Sequence, residues 1–379
     1  MSNSTAVTSA GPSAGTPASA RNAKGDGAAS AAKPRRNRLS GGFFRFILTR
    51  FLLIIPTVFI LVTIVFFVMR ATGDPISAAM GGRLTPDELQ RRIHAAGYDR
   101  PLIVQYLDYL GGLLRGDLGT TLTDNQPVIS ILVRYGAATF ELAFLALIVA
   151  LVIGIGLGRI AARHRDRAAD AGIRVFAILC YATPVFFLGL MLKLIFAVWI
   201  NVLPPSGRSD LASEMQFNRL VSPTGFYIID ALQLGNMTVL ADVLRHAVLP
   251  ALALGLLTAG VFIRLVRTNV ISTYNSGYVE AARSRGVSEK RLLDKHAWRP
   301  ALIPIITVMG MQIALMLAGA VLTETTFEWK GLGFMLSTYL KARDFVAVQG
   351  IVILIAIIVA VVNFIVDVVA ALIDPRVRY

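Results

Sequence analysis

Long apolar runs separated by polar, charged stretches set the rhythm of this chain. The first run, "FFRFILTRFLLIIPTVFILVTIVFFVM", occupies residues 43–69, and five more follow at 137–161, 173–200, 247–266, 301–322 and 346–373. Each approaches the ~20 apolar residues needed to cross a bilayer core of about 30 Å. The runs are continuous rather than alternating with period two, which sets aside a transmembrane β-barrel. The pattern predicts an all-α polytopic membrane protein with six transmembrane helices. "IGIGLG" in the second run supplies small residues that permit close helix approach. Pro56 and Pro184 mark places where the first and third spans can kink.

The polar stretches carry their own signals. Residues 1–40 are rich in Ala, Ser, Gly and Pro and lack the apolar content that offsets chain entropy, so a disordered cytoplasmic tail is expected. No short apolar core precedes a cleavage site there, so it does not read as a secretory signal. "KPRRNR" before the first span reads as an anchor to anionic lipid. Residues 70–135 are predicted to form an external helical region. There "LTPDELQRRIHAAG" offers Thr85 as N-cap, Pro86 at the first helical position, Glu88 to complete a capping box and Gly97 to close the helix. "PLIVQYLDYLGGLL" then places Leu102, Tyr106, Tyr109, Leu110 and Leu113 near one face. A second external loop is expected at 201–245, a polar cytoplasmic loop at 270–300, and a short cytoplasmic tail at 374–379.

Composition supports the membrane reading: 55% of the 379 residues are hydrophobic and 16% charged, with a mean hydropathy of +0.65. About a quarter charged is usual in a soluble domain. The net charge of +14 collects in the tail, at Arg163, Arg165 and Arg167, in the Arg264–Arg299 region and at Arg376 and Arg378. Six spans put all of these on one side, which is the cytoplasm, so both termini are expected inside. No basic patch is free of flanking spans, so nucleic acid is not an expected partner. Cys180 is the only cysteine, which leaves no disulfide framework and no CxxC metal site. The chain has no GxxxxGK[ST] phosphate loop, no HExxH and no GxSxG, so no catalytic, cofactor-binding or metal residues are assigned and the chain is not expected to be an enzyme. Glu141 and Lys193 are the ionisable groups inside spans that are candidates to line a pathway. Capping, snorkelling or an interspan hydrogen bond are the alternatives for them.

The most polar run in the second half is "EAARSRGVSEKRLLDKHAWRP", Glu280 to Pro300. Glu280, Ala281 and Ala282 favour a short helix, Gly286 sits where a left-handed cap is required, and Ser288 with Glu289 can start a second helix. Helices this short are marginal alone in water. They need a surface: a lipid headgroup layer, or a groove on a cytosolic partner that accepts the apolar residues Tyr278, Val279, Ala282, Leu292 and Leu293.

"EAARSRG", followed after a gap by "HAWRPALIP", resembles the cytoplasmic EAA loop of bacterial ABC-importer permeases. The resemblance is greater still to the dipeptide/oligopeptide/nickel, binding-protein-dependent branch. "LTPDELQRRIHAAGYDRPLIVQYLDYLGGLLRGDLG", "YATPVFFLGL", "GAVLTETTFEWKGLG" and "DPRVR" agree in order, so the resemblance covers nearly everything after about Phe44; the long N-terminal tail departs from it. It implies a type I ABC-importer permease fold with both termini inside, in the bacterial cytoplasmic (inner) membrane. It also implies a second homologous permease subunit, two cytosolic ATP-binding subunits that hold ATP and Mg, and an external solute-binding protein, with no cofactor in this chain. Glu280, Ala281, Ala282 and Gly286 match the coupling motif, and Leu292 and Leu293 follow on the same loop. The implied cargo is a di- or oligopeptide. A nickel chelate within the same branch is the alternative, and an ion-coupled secondary transporter or a scaffold are readings of other classes.

Overall fold

The computed structural model describes residues 39–373 apart from Arg83. The tail expected to be disordered, its "KPRRNR" segment and the terminal "DPRVRY" lie outside the described residues. Among the described residues the chain is helical, with one isolated β-bridge between Thr120 and Pro127 and no sheet.

Four helices are long and apolar enough to cross a membrane: α1 (Leu39–Ala71), α5 (Val128–Arg163), α10 (Met237–Tyr274) and α15 (Phe345–Ile373). Two bent pairs raise this to six if each is one span. One pair is α6 (Ala168–Ala182) with α7 (Val185–Leu192) and the π-helical turn Lys193–Trp199. The other runs into α13 (Trp298–Phe327) and bends by 44° between Leu302 and Pro304. The third span was expected as a single run with a kink. Instead its halves meet at 109°. Pro184 has no N–H to continue the ladder and pushes Thr183 out of the helical region, to ψ 127°.

Between α1 and α5 lie α2 (Pro75–Met80), α3 (Pro86–Ala95) and α4 (Leu102–Leu114). Thr85 caps α3 as its sequence predicts, accepting from Glu88 N at 3.4 Å. The reciprocal half of the box is not made, because the Glu88 carboxylate pairs with Arg92 at 3.3 Å. Gly97, at φ +72°, closes the helix. On α4, Tyr106 faces inward but Leu102 is exposed, and Gln105 is buried beside Tyr106. The inward face is thus more polar than the periodicity suggests.

The core is built around α5 and α10. Ala138, Leu142 and Ala146 meet Ala247, Ala251 and Leu254, with Met316, Ala320 and Trp329 closing the cluster. Small side chains dominate because backbone approach, not apolar burial, is what holds helices together inside lipid. Gly154 and Gly158 of "IGIGLG" make that approach possible: a Cβ at Gly154 would lie 2.5 Å from Phe262 Cβ, and one at Gly158 2.7 Å from Val266 Cβ. Gly156, two residues from each and exposed, has no atom within 4 Å of such a Cβ. Gly154→Leu is therefore expected to lower the thermal unfolding midpoint of the purified protein, at a cost of about 1–3 kcal/mol for overpacking. Gly156→Leu should leave the midpoint in place. Equal effects at the two positions would remove close packing as the reason for the glycines.

Contacts define two ends of the bundle. At one end Arg159 Nη2 reaches Asp294 Oδ1 at 3.1 Å and its guanidinium covers the Trp298 ring at 4.5 Å. There too Asp170, fully buried, takes a bidentate pair of bonds from Arg267 at 2.6 and 2.7 Å. Arg50 of α1 pairs with Asp367 of α15 at 3.4 Å. That pair ties the start of α1 to the end of α15.

Candidate functional site

The basic end carries the elbow between α10 and α13. α11 (Gly277–Ser284) follows α10 after a short turn. It closes in a Schellman arrangement: Gly286 N donates to Arg283 O at 2.9 Å and Val287 N to Ala282 O at 3.3 Å. Gly286 has φ +78°, so the left-handed cap that its sequence position requires is present. The following α12 (Glu289–Arg291) starts at Ser288, whose side chain makes no capping bond. Glu289 braces the turn instead. Its carboxylate accepts from Arg283 Nε at 2.8 Å and from the Tyr274 hydroxyl, and Arg283 lies over the Tyr274 ring at 5.0 Å.

A π-helical turn, Leu292–Ala297, then leads into α13. The extra residue in this turn rotates the face, and the apolar surface expected on the loop divides in two. Val279 and Leu292 are fully buried, and Leu293 packs against the buried cluster that contains Val266, Val270 and Ile305. These residues fasten the elbow to its own spans, so Leu292 does not face outward. Glu280 and Ala281 are exposed and Ala282 is half-buried. A hollow of about 450 Å³ opens there, lined by Tyr278, Ala281, Ala282, Arg285, Val287 and His296. The elbow thus presents a short helix with a small-residue face and is rigidly tied to α5, α10 and α13.

The opposite end is a rim of loops held by buried polar groups. Glu141 lies in the first half of α5 and is 5% exposed; Arg208, 7% exposed, comes from the loop after the π-helical turn. Arg208 Nη2 donates to Glu141 Oε2 at 2.6 Å and to Gly225 O at 2.9 Å, while Ile228 N donates to Glu141 Oε1 at 2.8 Å. The guanidinium sits 3.7 Å above the Tyr227 ring. Glu141 therefore anchors the external loop and α9 (Tyr227–Gln233). Lys193 Nζ donates to Thr326 O at 2.9 Å and approaches the Phe327 ring at 5.5 Å, a cation at the C-terminal end of α13. The interspan hydrogen bond weighed for Lys193 is present, and both ionisable groups find partners inside the chain.

Two carboxylates that sequence reasoning did not single out complete the rim. Glu324 is fully buried and accepts from Thr139 Oγ1 at 2.7 Å and from Phe334 N at 2.9 Å. Thr139 accepts in turn from Leu332 N at 2.8 Å. This pins α14 (Leu332–Lys341) to α5. The glycines of "EWKGLG" allow it, since a Cβ at Gly331 would lie 2.5 Å from the Glu324 carboxyl carbon. Asp344, also fully buried, takes bonds from Leu122 N, Thr123 N and Thr123 Oγ1 at 2.6, 2.8 and 3.0 Å. Glu324 stood among threonines just past the fifth apolar run and Asp344 in a polar turn, so neither offered a sequence signal. Asp210, Asp242 and His246 also converge, but their bonds are internal. His246 Nδ1 meets Asp242 O at 2.9 Å and Asp242 accepts from Asp210 N at 2.9 Å, fastening the loop to α10.

An apolar helical bundle with an exposed helical elbow at its basic end and a pinned loop rim at the other is the build of a multi-pass membrane protein. Two family descriptions match: "Binding-prot-dependent transport system membrane comp, N-term" over residues 43–143, and "Binding-protein-dependent transport system inner membrane component" over residues 154–379. The chain belongs to this family of bacterial inner-membrane permease components. It is 38% identical over 336 residues to the di/tripeptide transport system permease protein DppB of Pseudomonas aeruginosa, covering 88% of this chain and 98% of that one. It is 36% identical to the dipeptide transport system permease protein DppB of Escherichia coli, covering 88% and 99%. The corresponding protein of Haemophilus influenzae is 37% identical, covering 89% and 100%.

Proposed function

We propose that this chain forms one membrane half of an ATP-driven importer of dipeptides and tripeptides. The observation that carries the cargo is the likeness, along nearly the whole length of both chains, to permeases named for di- and tripeptide transport. Its partners are a second homologous permease subunit, two cytosolic ATP-binding subunits that hold ATP and Mg, and an external solute-binding protein; the chain itself carries no cofactor. The exposed face of Glu280, Ala281 and Ala282, with the hollow beside it, seats one ATP-binding subunit, and Gly286 fixes the angle at which that face is presented. Leu292 and Leu293 act behind it by tying the elbow to α10 and α13. Motion imposed on the elbow then reaches α5 through Arg159–Asp294. Glu141 and Lys193 serve the pathway by holding its external rim rather than by touching cargo.

The test is uptake in a strain lacking this chain, with labelled dialanine competed by alanine peptides of graded length and by a nickel chelate. Complementation should restore uptake that di- and trialanine inhibit and the chelate does not. Inhibition by the chelate alone would overturn the peptide assignment. Purification of the tagged chain in mild detergent should retain an ATP-binding subunit; its absence would overturn the importer reading itself.

A further inference from the structure

A crevice of about 160 Å³ opens between α6 and α10 toward the basic end of the bundle. The two helices run antiparallel along it, since Asp170 meets Arg267 at one end and Ala177 and Cys180 meet Gly260 further in. Gly260 sets their separation: a Cβ there would lie 2.7 Å from Ala177 O and 3.3 Å from Cys180 Cβ. The deeper lining is apolar, from Ala177, Ile178, Gly260, Val261 and Ile263. Ile178 and Tyr181 are exposed, so the crevice opens on the outer face of the bundle.

The charge on it has one sign. Arg174, Arg264 and Arg267 line the crevice, and no acid lines it among the described residues. Arg267 is committed to Asp170, and Arg174 approaches the same carboxylate at 3.8 Å. Arg264 is exposed, lies 5.7 Å from the Tyr181 ring centre and enters no ion pair among the described residues. Asp166, in the turn before α6, is paired with Arg165. Three guanidinium groups against one carboxylate leave a surplus of two positive charges. The charges are also placed by depth. On both helices the arginines stand toward the basic end and the apolar lining further in, over a length of about 10 Å for seven helical residues.

An apolar slot with a cationic mouth, at the end of the bundle that faces the cytoplasm, has the polarity of a phospholipid in the inner leaflet. That leaflet is anionic, and basic pockets between spans on this side hold lipid headgroups. Arginine pairs with phosphate through two parallel hydrogen bonds. We propose that this crevice binds one anionic phospholipid, with its phosphate at Arg174 and Arg264 and an acyl chain along Ala177, Ile178, Gly260 and Val261. Arg267 stays with Asp170 and holds the two helices together behind it. An apolar protein helix is a poorer occupant, because it would bury the surplus charge without neutralising it. The inference goes beyond the transport reading, since the ligand is not cargo and its test reads lipid binding.

The experiment is lipid binding to the purified full chain in mild detergent, read by native mass spectrometry, with phosphatidylglycerol, phosphatidylcholine and glycerol 3-phosphate as probes. Phosphatidylglycerol should bind at least about fivefold more tightly than phosphatidylcholine, and glycerol 3-phosphate should not displace it. Arg174→Gln and Arg264→Gln should each weaken phosphatidylglycerol about fivefold, the effect of one basic residue on an anionic lipid. Arg163→Gln removes an exposed arginine at the end of α5, outside the crevice, and should leave the affinity in place. Equal affinity for the two lipids, or displacement by glycerol 3-phosphate, would overturn the proposal. An equal loss in Arg163→Gln would reduce the effect to general surface charge and overturn it as well. The lipid comparison uses the unaltered protein, so that arm does not depend on any variant folding. Binding is then repeated on the complex purified with its partner subunits. Loss of the preference there would show that a protein subunit covers this face, and would overturn the lipid assignment. Peptide uptake measured alongside separates the two readings: uptake without a lipid preference removes this inference alone.

Discussion

Arg208→Ala is expected to lower the stability of the purified protein by about 3–5 kcal/mol, because it leaves the Glu141 carboxylate buried without its cation. Glu141 is almost wholly enclosed. Once Arg208 is gone, the Ile228 amide is, among the described residues, the one remaining hydrogen-bond donor to it. The loss does not stop at the pair. Arg208 also holds Gly225 O and covers the Tyr227 ring, so the loop before α9 loses its point of attachment to α5. Thermal unfolding in detergent should show the drop, and limited proteolysis should show faster cutting in residues 201–235. The double variant Glu141→Leu/Arg208→Leu should recover much of the loss, since a buried ion pair replaced as a unit by apolar groups is often close to neutral. An unchanged melting midpoint in Arg208→Ala would show that the pair does not anchor the rim.

Gly286→Val is expected to reduce ATP-driven uptake severalfold while leaving the amount of protein in the membrane unchanged. The reason is conformational. Gly286 holds φ +78° and no atom lies within 4 Å of the position a Cβ would take, so the space is open and only the backbone objects. The left-handed conformation costs about 1–2 kcal/mol in a residue with a side chain, a factor of about 5–30 in the local equilibrium. A β-branched residue suffers most and asparagine least. The order of uptake should therefore be Gly, then Asn, then Ala, then Val. Membrane levels measured by immunoblot and uptake measured in the same cells check this. Normal uptake in Gly286→Val would remove the elbow from the coupling path. An equal loss in Asn, Ala and Val would show that the position touches a partner rather than setting a turn.

The elbow was legible in sequence because its determinants are local. A glycine after a short helix, with the amides of Gly286 and Val287 closing back on Arg283 and Ala282, is a matter of a few consecutive residues. The same holds for Thr85, Pro86 and Gly97 around α3. The orientation of Leu292 was not legible, because the π-helical turn inserts a residue and shifts the face that a regular 3.6-residue period assigns. The rim was least legible. Glu141 was visible as an acid in an apolar run, yet its partner Arg208 is 67 residues away, and Asp344 reaches across more than 220 residues to the amides of Leu122 and Thr123.

By itself the sequence determined that this chain is an all-helical membrane protein, which end is basic, and where its elbow turns. Each of these follows from run length, charge sign or backbone preference over a short window, and lipid permits few other solutions to the hydrogen-bonding needs of the backbone. Only the tertiary structure decided that the third apolar run is broken by 109° at Pro184 and that Glu141 and Lys193 are held by partners within the chain. Those are properties of groups brought together from distant parts of the chain, and their energies depend on burial and mutual distance, neither of which a linear pattern records.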